Sequence, residues 1–292
     1  MPRRFTPGSL AKERRKRTAL KVGMYLFLFL VTLPLAIGYL WLVVGAFSKT
    51  LMYGFVPQGF TLQNWDFLWN PRLPGLDVDI WHMFLNTLYL ALGVTITVVA
   101  VSTPMAYAIS RMHFPGRTAI LASTLILHAF PPITLLLALY YILHALGLLD
   151  NLLGVILVRA GLWVPFAVWV MKGFFDDIPW DIEMSALVDG ATRLRTFWKI
   201  MLPLVRPGIG AIAVFAFIGG WTEFIFQITF VHNPKSWTLC SYIYAIIGSY
   251  RLTNYGLLAA ASLFYMAPVL LFFIFTQRFL VRVTVGGMKG GS

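Results

Sequence analysis

Six long apolar runs alternate with polar segments along the 292-residue chain. A helix of about 20 apolar residues crosses a hydrocarbon core of about 30 Å. The pattern therefore predicts an all-α membrane protein with six transmembrane helices. The predicted order is a basic tail at 1–21, a first span at 22–46, an external loop at 47–82, a core at 83–277 with spans at about 83–107, 118–144, 152–174, 208–231 and 256–277, and a tail at 278–292.

Polar residues and prolines interrupt three of the runs. Pro131 and the proline after it predict a kink in the third span, and Arg159 lies within the fourth. Glu223 and Gln227 are four residues apart in the fifth span, so a continuous helix places them on one face. Together with Trp221 and Pro131 they are candidates for a translocation path or gate. Polar groups at membrane depth are costly to bury, so their presence there suggests a function. A structural hydrogen bond to another span is the alternative.

The segment 175–207 is the longest predicted internal loop, and it contains signals for two short helices. Pro179 suits a first helical turn, and Asp181 and Glu183 suit the positive N-terminal end of a helix. Gly190 is a natural place for this helix to stop.

A second short helix follows this glycine. Leu194, Phe197, Trp198 and Met201 have the i, i+3, i+4, i+7 spacing of an amphipathic face, and Pro203 is predicted to end the helix. Such a helix suits recognition in a groove of another protein, or alternatively attachment to the inner leaflet. The periodicity favours neither interpretation.

The predicted external segments are 47–82 and 232–255. The first is rich in aromatic residues, including Trp65, Phe67, Trp69 and Trp81. These side chains suit either the membrane interface or a docking surface for an external partner.

Composition and charge support the membrane interpretation. Hydrophobic residues make up 59% of the chain and charged residues only 12%, too few to cover the surface of a soluble domain. The formal net charge is +12, but the basic residues lie between apolar runs, which points to a role in membrane topology and contact with anionic lipid rather than to nucleic-acid binding.

The distribution of basic residues predicts the orientation of the spans. With the N-terminus inside, 18 of the 23 basic residues are internal, which predicts an even number of spans and cytoplasmic termini. These residues are Arg3, Arg4, Lys12, Arg14, Arg15, Lys16, Arg17, Lys21, Arg111, Arg117, Lys172, Arg193, Arg195, Lys199, Arg206, Arg278, Arg282 and Lys289; Lys49, Arg72, Lys235 and Arg251 are external.

The sequence carries no recognisable catalytic or metal-binding pattern. Cys240 is the only cysteine, and the five histidines form no cluster with metal-ligand spacing. No Gly-Lys dipeptide occurs, so a P-loop is absent and ATP hydrolysis is not expected of this chain. The apolar run that follows the basic N-terminus is longer than a signal-peptide core, which predicts a retained first span.

The internal loop resembles the Glu-Ala-Ala loop of ABC importer permeases. In that family a Gly is followed by nine residues, Ile, one residue and Leu-Pro, and Gly190, Ile200, Leu202 and Pro203 match this pattern in full. The acidic start departs from it, because Met184 stands where the family has Glu and Glu183 precedes it. A shift of one residue rotates a side chain by about 100° around the helix. Glu183 therefore need not make the salt bridge with the ATPase that the resemblance would assign to the family's Glu. The resemblance implies an ATPase-coupling segment comprising Glu183, Met184, Ser185, Ala186, Asp189, Gly190, Leu194, Phe197, Trp198, Ile200, Leu202 and Pro203.

Shorter stretches resemble the carbohydrate-importer branch, specifically the second permease of maltose-type transporters. They are Phe84–Leu88, Phe130–Pro132, Gly147–Asp150, Trp221–Phe224 and Val285–Gly290, with Thr222 where the branch usually has Asn. The resemblance implies a type I ABC importer permease in the prokaryotic inner membrane that moves a di- or oligosaccharide inward. It further implies a second permease, two ATPase subunits that bind ATP and magnesium, and an external solute-binding protein.

Three other functions are alternatives, and the second and third need features that the sequence does not clearly show. A permease for glycerol phosphate or a polyamine remains an alternative, because the binding protein usually sets selectivity. A secondary transporter working alone would be expected to have internal repeats and more midplane charges. A membrane-embedded enzyme would need clustered His, Asp or Ser at membrane depth.

Overall fold

A computed structural model describes residues 7–52, 56–70, 79–248 and 254–286, and in parts of the helices the backbone alone. Helices dominate these residues. The α-helices are α1 (Pro7–Ala46), α2 (Ile80–Arg111), α3 (Arg117–Ala129), α4 (Leu136–Ala145), α5 (Leu152–Asp176), α6 (Trp180–Val188), α7 (Arg193–Thr196), α8 (Leu202–Leu204), α9 (Arg206–Trp221), α10 (Ile225–Phe230), α11 (Leu239–Gly248) and α12 (Tyr255–Gly286). Short 3-10 helices occupy Gln63–Leu68, Pro132–Leu135 and Pro234–Ser236, and a π-helical turn occupies Phe197–Met201.

The described residues form two compact units, and the first contains residues up to Trp65 together with Asn254–Leu263. Its long helix α1 exposes nearly every apolar side chain beyond residue 15. A small antiparallel hairpin of β1 (Ser48–Met52) and β2 (Val56–Phe60) follows. The Asn64 side chain donates to the carbonyls of Ala46 and Ser48, which fixes the chain after the hairpin. This hairpin departs from the all-α prediction, because its two strands are mostly exposed and lack the alternation of apolar and polar residues that marks a half-buried strand.

The second unit comprises Asp66–Thr253 and Phe264 onward, within the described ranges. Its core forms where α2 packs along α5 and α9. Gly220 on α9 lies directly against α2, because a Cβ placed there would come within 2.8 Å of the Ala91 Cα. Small residues allow this close approach between helices in a membrane protein.

Four helical segments of the described chain are long and apolar enough to cross a membrane: Lys16–Ala46, Ile80–Arg111, Leu152–Asp176 and Tyr255–Thr276. A fifth arises if Arg193–Leu204 and Arg206–Trp221, bent by 75°, are counted as one span. The two remaining predicted spans differ from continuous helices. The third is divided between α3 and α4 at Phe130–Leu135, and the fifth is divided between α9 and α10 at Thr222–Phe224.

Some predicted features lie outside the described residues. They include Arg3 and Arg4, the external positions Arg72 and Arg251, and Lys289 in the final tail. The six-span count and the orientation of the termini remain predictions.

Candidate coupling segment and membrane-buried polar groups

The first helix of the coupling segment ends in a glycine turn at Gly190. Helix α6 begins at Trp180, directly after Pro179. At its end the N–H of Gly190 donates to the Leu187 carbonyl, and the N–H of Ala191 donates to the Ala186 carbonyl. This pair of bonds is the Schellman pattern, which requires a left-handed residue at the position of Gly190. Gly190 has φ +85°, as glycine readily allows.

The second helix begins after Thr192, whose hydroxyl accepts the N–H of Arg195. It does not end at Pro203, but continues through the π-helical turn to Leu204. Pro203 lies directly after the π-helical turn, in the short segment α8.

The predicted amphipathic face of this second helix is divided between core and surface. Phe197 is 6% exposed and packs 4.9 Å from the Tyr107 ring, between ring centroids, and Met201 is fully buried. Leu194 and Trp198 are 69% and 60% exposed. The four residues span a broad arc of the helix, of which one edge packs against the core and the other edge is left uncovered by the described residues.

Glu183 points inward rather than toward a partner. The Tyr107 hydroxyl donates to Glu183 Oε1 at 2.7 Å, and Arg111 Nε lies 3.6 Å from Glu183 Oε2. Glu183 is fully buried. A carboxylate in this position ties α6 to the end of α2, which agrees with its displacement by one residue from the family's acidic position.

Arg111 also binds the end of a third helix. Its Nη2 donates to the carbonyl of Phe175, at the end of α5, and to that of Ile178. Its guanidinium carbon lies 4.7 Å from the centre of the Trp180 ring, which adds a cation–π contact. Arginine suits the free carbonyls at a helix C-terminus. Sequence reasoning treated Arg111 only as a topology charge, because nothing local to it identifies Glu183 as a partner.

The remaining coupling residues are distributed between the surface and partly buried positions. We use the term coupling surface for the exposed residues Met184, Ser185, Val188, Asp189, Gly190, Leu194 and Trp198. Val188 was not among the predicted residues, although it is 86% exposed. Ile200, Leu202 and Pro203 are partly buried and Ala186 is buried.

The acidic residue of the fifth predicted span pairs with the basic residue of the fourth. Arg159 Nε lies 2.9 Å from Glu223 Oε2, and it also donates to the Gly219 carbonyl at 3.2 Å. Glu223 Oε1 accepts the N–H of Phe226 at 2.9 Å, at the start of α10. Glu223 therefore lies in the helix break itself and caps the helix that follows.

Gln227 and Trp221 have different surroundings from Glu223. The Ser241 hydroxyl donates to Gln227 Oε1 at 2.5 Å, so Gln227 links α10 to α11, and among the described residues it has no hydrogen-bond partner in common with Glu223. The predicted common helical face does not form, because Glu223 lies in the break before α10 begins at Ile225. The buried Trp221 donates to the Tyr265 carbonyl, and the Tyr265 hydroxyl donates to the Trp221 carbonyl. Pro131 is exposed and precedes a 3-10 turn.

A second acidic residue organises the loop between α4 and α5. Asp150 has φ +57°, and its Oδ1 accepts the N–H of His232 at 2.5 Å and the N–H of Asn233 at 3.3 Å. The His232 N–H is the main reason that the pKa of Asp150 falls below its ordinary value of 3.8. Asp150 therefore holds the α4–α5 loop against the segment that follows α10.

Comparison with known protein families identifies this architecture. Residues 99–285 match the family described as "Binding-protein-dependent transport system inner membrane component". The chain belongs to this family of ABC importer permeases. The match covers the helix breaks, the paired Arg159 and Glu223 and the entire coupling segment.

Curated relatives extend the similarity over nearly the whole permease. It is 30% identical over 282 residues to the inner membrane ABC transporter permease protein YcjP of Escherichia coli, covering 94% of this chain and 99% of that protein. It is 29% identical to the diacetylchitobiose uptake system permease protein NgcG of Streptomyces coelicolor, covering 96% and 91%. The permease is thus a multi-pass protein of a prokaryotic membrane.

A solved structure has the same fold. A chain of a bacterial ABC transporter involved in the import of the acidic polysaccharide alginate superposes with a TM-score of 0.73 and 18% identity. The superposition covers 95% of this permease and 99% of that chain. The helical importer-permease fold predicted from the coupling loop is therefore confirmed.

Proposed function

We propose that this permease moves a neutral di- or oligosaccharide inward after an external solute-binding protein delivers it. The observation that carries the proposal is the similarity to NgcG, a diacetylchitobiose uptake permease, along almost the full chain. The carbohydrate-branch stretches of the sequence support the same substrate class.

The complex that we propose contains a second, related permease and two ATPase subunits, which bind ATP and magnesium. The coupling surface supports an ATPase partner, because Leu194 and Trp198 expose large apolar side chains next to a tight glycine turn. An apolar helix edge of this kind suits insertion into a groove of another protein.

We also propose six spans with both termini in the cytoplasm. The division of basic residues supports this orientation. The third and fifth of these spans would be made by the divided helices α3 with α4 and α9 with α10, since broken helices occur at membrane depth in transporters where they face protein or a cavity.

In this proposal the ATPase movement enters the permease at α6 and reaches α2 through Glu183 and Arg111. Rigid-body rotation of packed helices is a common way to transmit such movement. The buried ion pair and the Tyr107 hydrogen bond support a rigid connection, because the side chains of Arg111 and Glu183 are buried.

The test is uptake by host cells in which the gene for this chain is deleted and then restored. Labelled maltose, trehalose, diacetylchitobiose and glycerol phosphate are supplied in turn. We expect one neutral saccharide to depend on the restored chain. Dependence of glycerol phosphate uptake alone would contradict the proposed substrate class, and uptake without any co-purifying ATPase would contradict the proposed complex.

A further inference from the structure

Two helix breaks line one cavity in the second unit. The cavity has a volume of about 500 Å³, which lies in the range of small-molecule sites. Its lining comes from the break between α3 and α4, from the break between α9 and α10, and from α5. The lining residues are Pro132, Ile133, Arg159 and Thr222–Phe226. We call it the broken-helix cavity.

The irregular backbone of both breaks lines this cavity. Helix α9 ends at Trp221 and α10 begins at Ile225, and a 3-10 turn from Pro132 replaces the α-helix in the other break. Both breaks fall inside predicted spans. Irregular backbone at membrane depth is tolerated where it is buried in protein or lines a water-filled space. Both breaks meet the same cavity, so one water-filled space there would serve the backbone of both.

Arg159 has hydrogen-bonding capacity left over in this cavity. Its Nε is shared by Glu223 and the Gly219 carbonyl. Within the described ranges, no hydrogen bond is made by its two terminal nitrogens. A guanidinium carries its terminal N–H groups in a planar fork, which can bind two neighbouring oxygen atoms at once. The side chain is 20% exposed, so part of it is accessible.

Glu223 sets the charge of the cavity. Its carboxylate is 4% exposed and lies within hydrogen-bond distance of Arg159. The pair is neutral overall, so the cavity does not favour an anion as an unpaired arginine would. Phe224 lines the same wall and offers an apolar ring surface. A donor fork, a carboxylate acceptor and an aromatic ring together suit a neutral molecule with adjacent hydroxyl groups and apolar C–H faces.

We propose that Arg159 and Glu223 form a binding subsite for one ring of a neutral saccharide on the translocation path. The Arg159 fork donates to two adjacent ring hydroxyls, and Glu223 accepts from a hydroxyl while it keeps the site neutral. The inference rests on the proposed saccharide transport and adds the place in the membrane domain where the sugar binds. The sequence pattern paired Glu223 with Gln227 as candidate path residues. In this proposal Arg159 takes the place of Gln227, because the Gln227 side chain is hydrogen-bonded to Ser241.

The test uses host cells that carry the whole transport complex, with the saccharide identified by the deletion experiment as the probe. Arg159→Lys keeps the charge and removes the fork. We expect at least a tenfold loss of saccharide uptake, with the amount of co-purified ATPase and the ATP hydrolysis of the purified complex within about twofold of wild type. Lys172→Gln is the matched control, since it breaks the more exposed Lys172–Asp176 pair on the same helix.

A double variant separates binding from folding. Arg159→Met with Glu223→Leu replaces the ion pair by apolar side chains, a change that proteins commonly tolerate in stability. We expect an assembled complex with ATP hydrolysis and a similar loss of uptake. Wild-type uptake in this variant would overturn the subsite. The complex could also fail to assemble in Arg159→Lys while the assembled double variant shows wild-type uptake. That result would assign the pair a purely structural role and would likewise overturn the subsite.

The third variant tests whether the charge of Glu223 sets the preference for a neutral over an acidic saccharide. Glu223→Gln leaves Arg159 without its counter-charge, so we expect uptake to shift by severalfold toward a uronic-acid disaccharide relative to the neutral probe. An unchanged ratio would contradict the neutralising role of Glu223. If wild-type cells transport no saccharide, the proposed function itself fails; if they do and the variants match them, only the subsite fails.

Discussion

Arg111 Nε lies 3.6 Å from Glu183 Oε2, and neither side chain has more than 1% of its surface exposed. This ion pair joins the last turn of α2 to the first helix of the coupling segment. Because Arg111 also binds the carbonyls at the end of α5, three helices meet at one guanidinium. A displacement of α6 should therefore move α2 and α5 with it.

Removal of Glu183 should weaken this junction strongly. Glu183→Ala leaves the buried charge of Arg111 without its partner, and breaking such a pair costs about 3–5 kcal/mol. We expect a lower thermal unfolding temperature of the purified complex and a lower ratio of uptake to ATP hydrolysis.

Asp181→Asn is the matched control, because Asp181 is an exposed acidic residue in the same first turn. It should leave both measurements unchanged. An apolar replacement of both partners, Arg111→Met with Glu183→Leu, should recover much of the unfolding temperature. Equal behaviour of Glu183→Ala and Asp181→Asn would contradict the junction.

The glycine turn should be sensitive to backbone strain. Gly190→Val forces a β-branched residue to φ +85°, which costs about 1–3 kcal/mol although a Cβ there would meet no described atom within 4 Å beyond the adjacent residues. We expect ATP hydrolysis to continue while uptake falls.

Gly116→Val distinguishes strain from coupling. Gly116 has φ +87° and equally open surroundings, but it lies at the start of α3. Both variants should lose similar stability, and only Gly190→Val should change the number of molecules transported per ATP hydrolysed. The same uncoupling in both variants would assign the effect to strain alone.

Acid should loosen the loop that Asp150 organises. The N–H of His232 lowers the pKa of Asp150 in the folded protein, so its stabilising effect is present above the ordinary pKa of 3.8 and is lost as pH falls below that value. Asp150→Gly relieves the left-handed backbone but removes the acceptor. We expect the unfolding temperature of wild type to fall more than that of Asp150→Gly between pH 6 and pH 3. Parallel curves would contradict this role.

The sequence predicted local features better than long-range partners. The spacing from Gly190 to Pro203 and the glycine turn depend on neighbouring residues, so they were accessible to pattern reasoning. The breaks at Phe130–Leu135 and Thr222–Phe224 were less accessible, because hydropathy remains high across them. The pairs Arg111–Glu183 and Arg159–Glu223 join residues that are 72 and 64 positions apart in sequence, and no periodicity identifies such contacts.

Truncation of the adjacent aromatic residues Phe197 and Trp198 should affect two different properties, the stability of the permease and its binding of the ATPase. Trp198 is exposed on the coupling surface, so Trp198→Ala should lower the amount of ATPase that co-purifies while the permease keeps its unfolding temperature. Phe197 is buried against Tyr107 and Phe175, so Phe197→Ala should cost about 3–5 kcal/mol of stability.

The two measurements are made on the same preparations, with ATPase recovery normalised to the amount of folded permease. After this normalisation Phe197→Ala should recover more ATPase than Trp198→Ala, because its side chain makes no exposed contact. If Trp198→Ala retains the wild-type amount of ATPase, the exposed edge of the second helix does not dock the ATPase. Attachment of this edge to the inner leaflet would then explain its apolar side chains, because both Leu194 and Trp198 suit the interface between lipid and water.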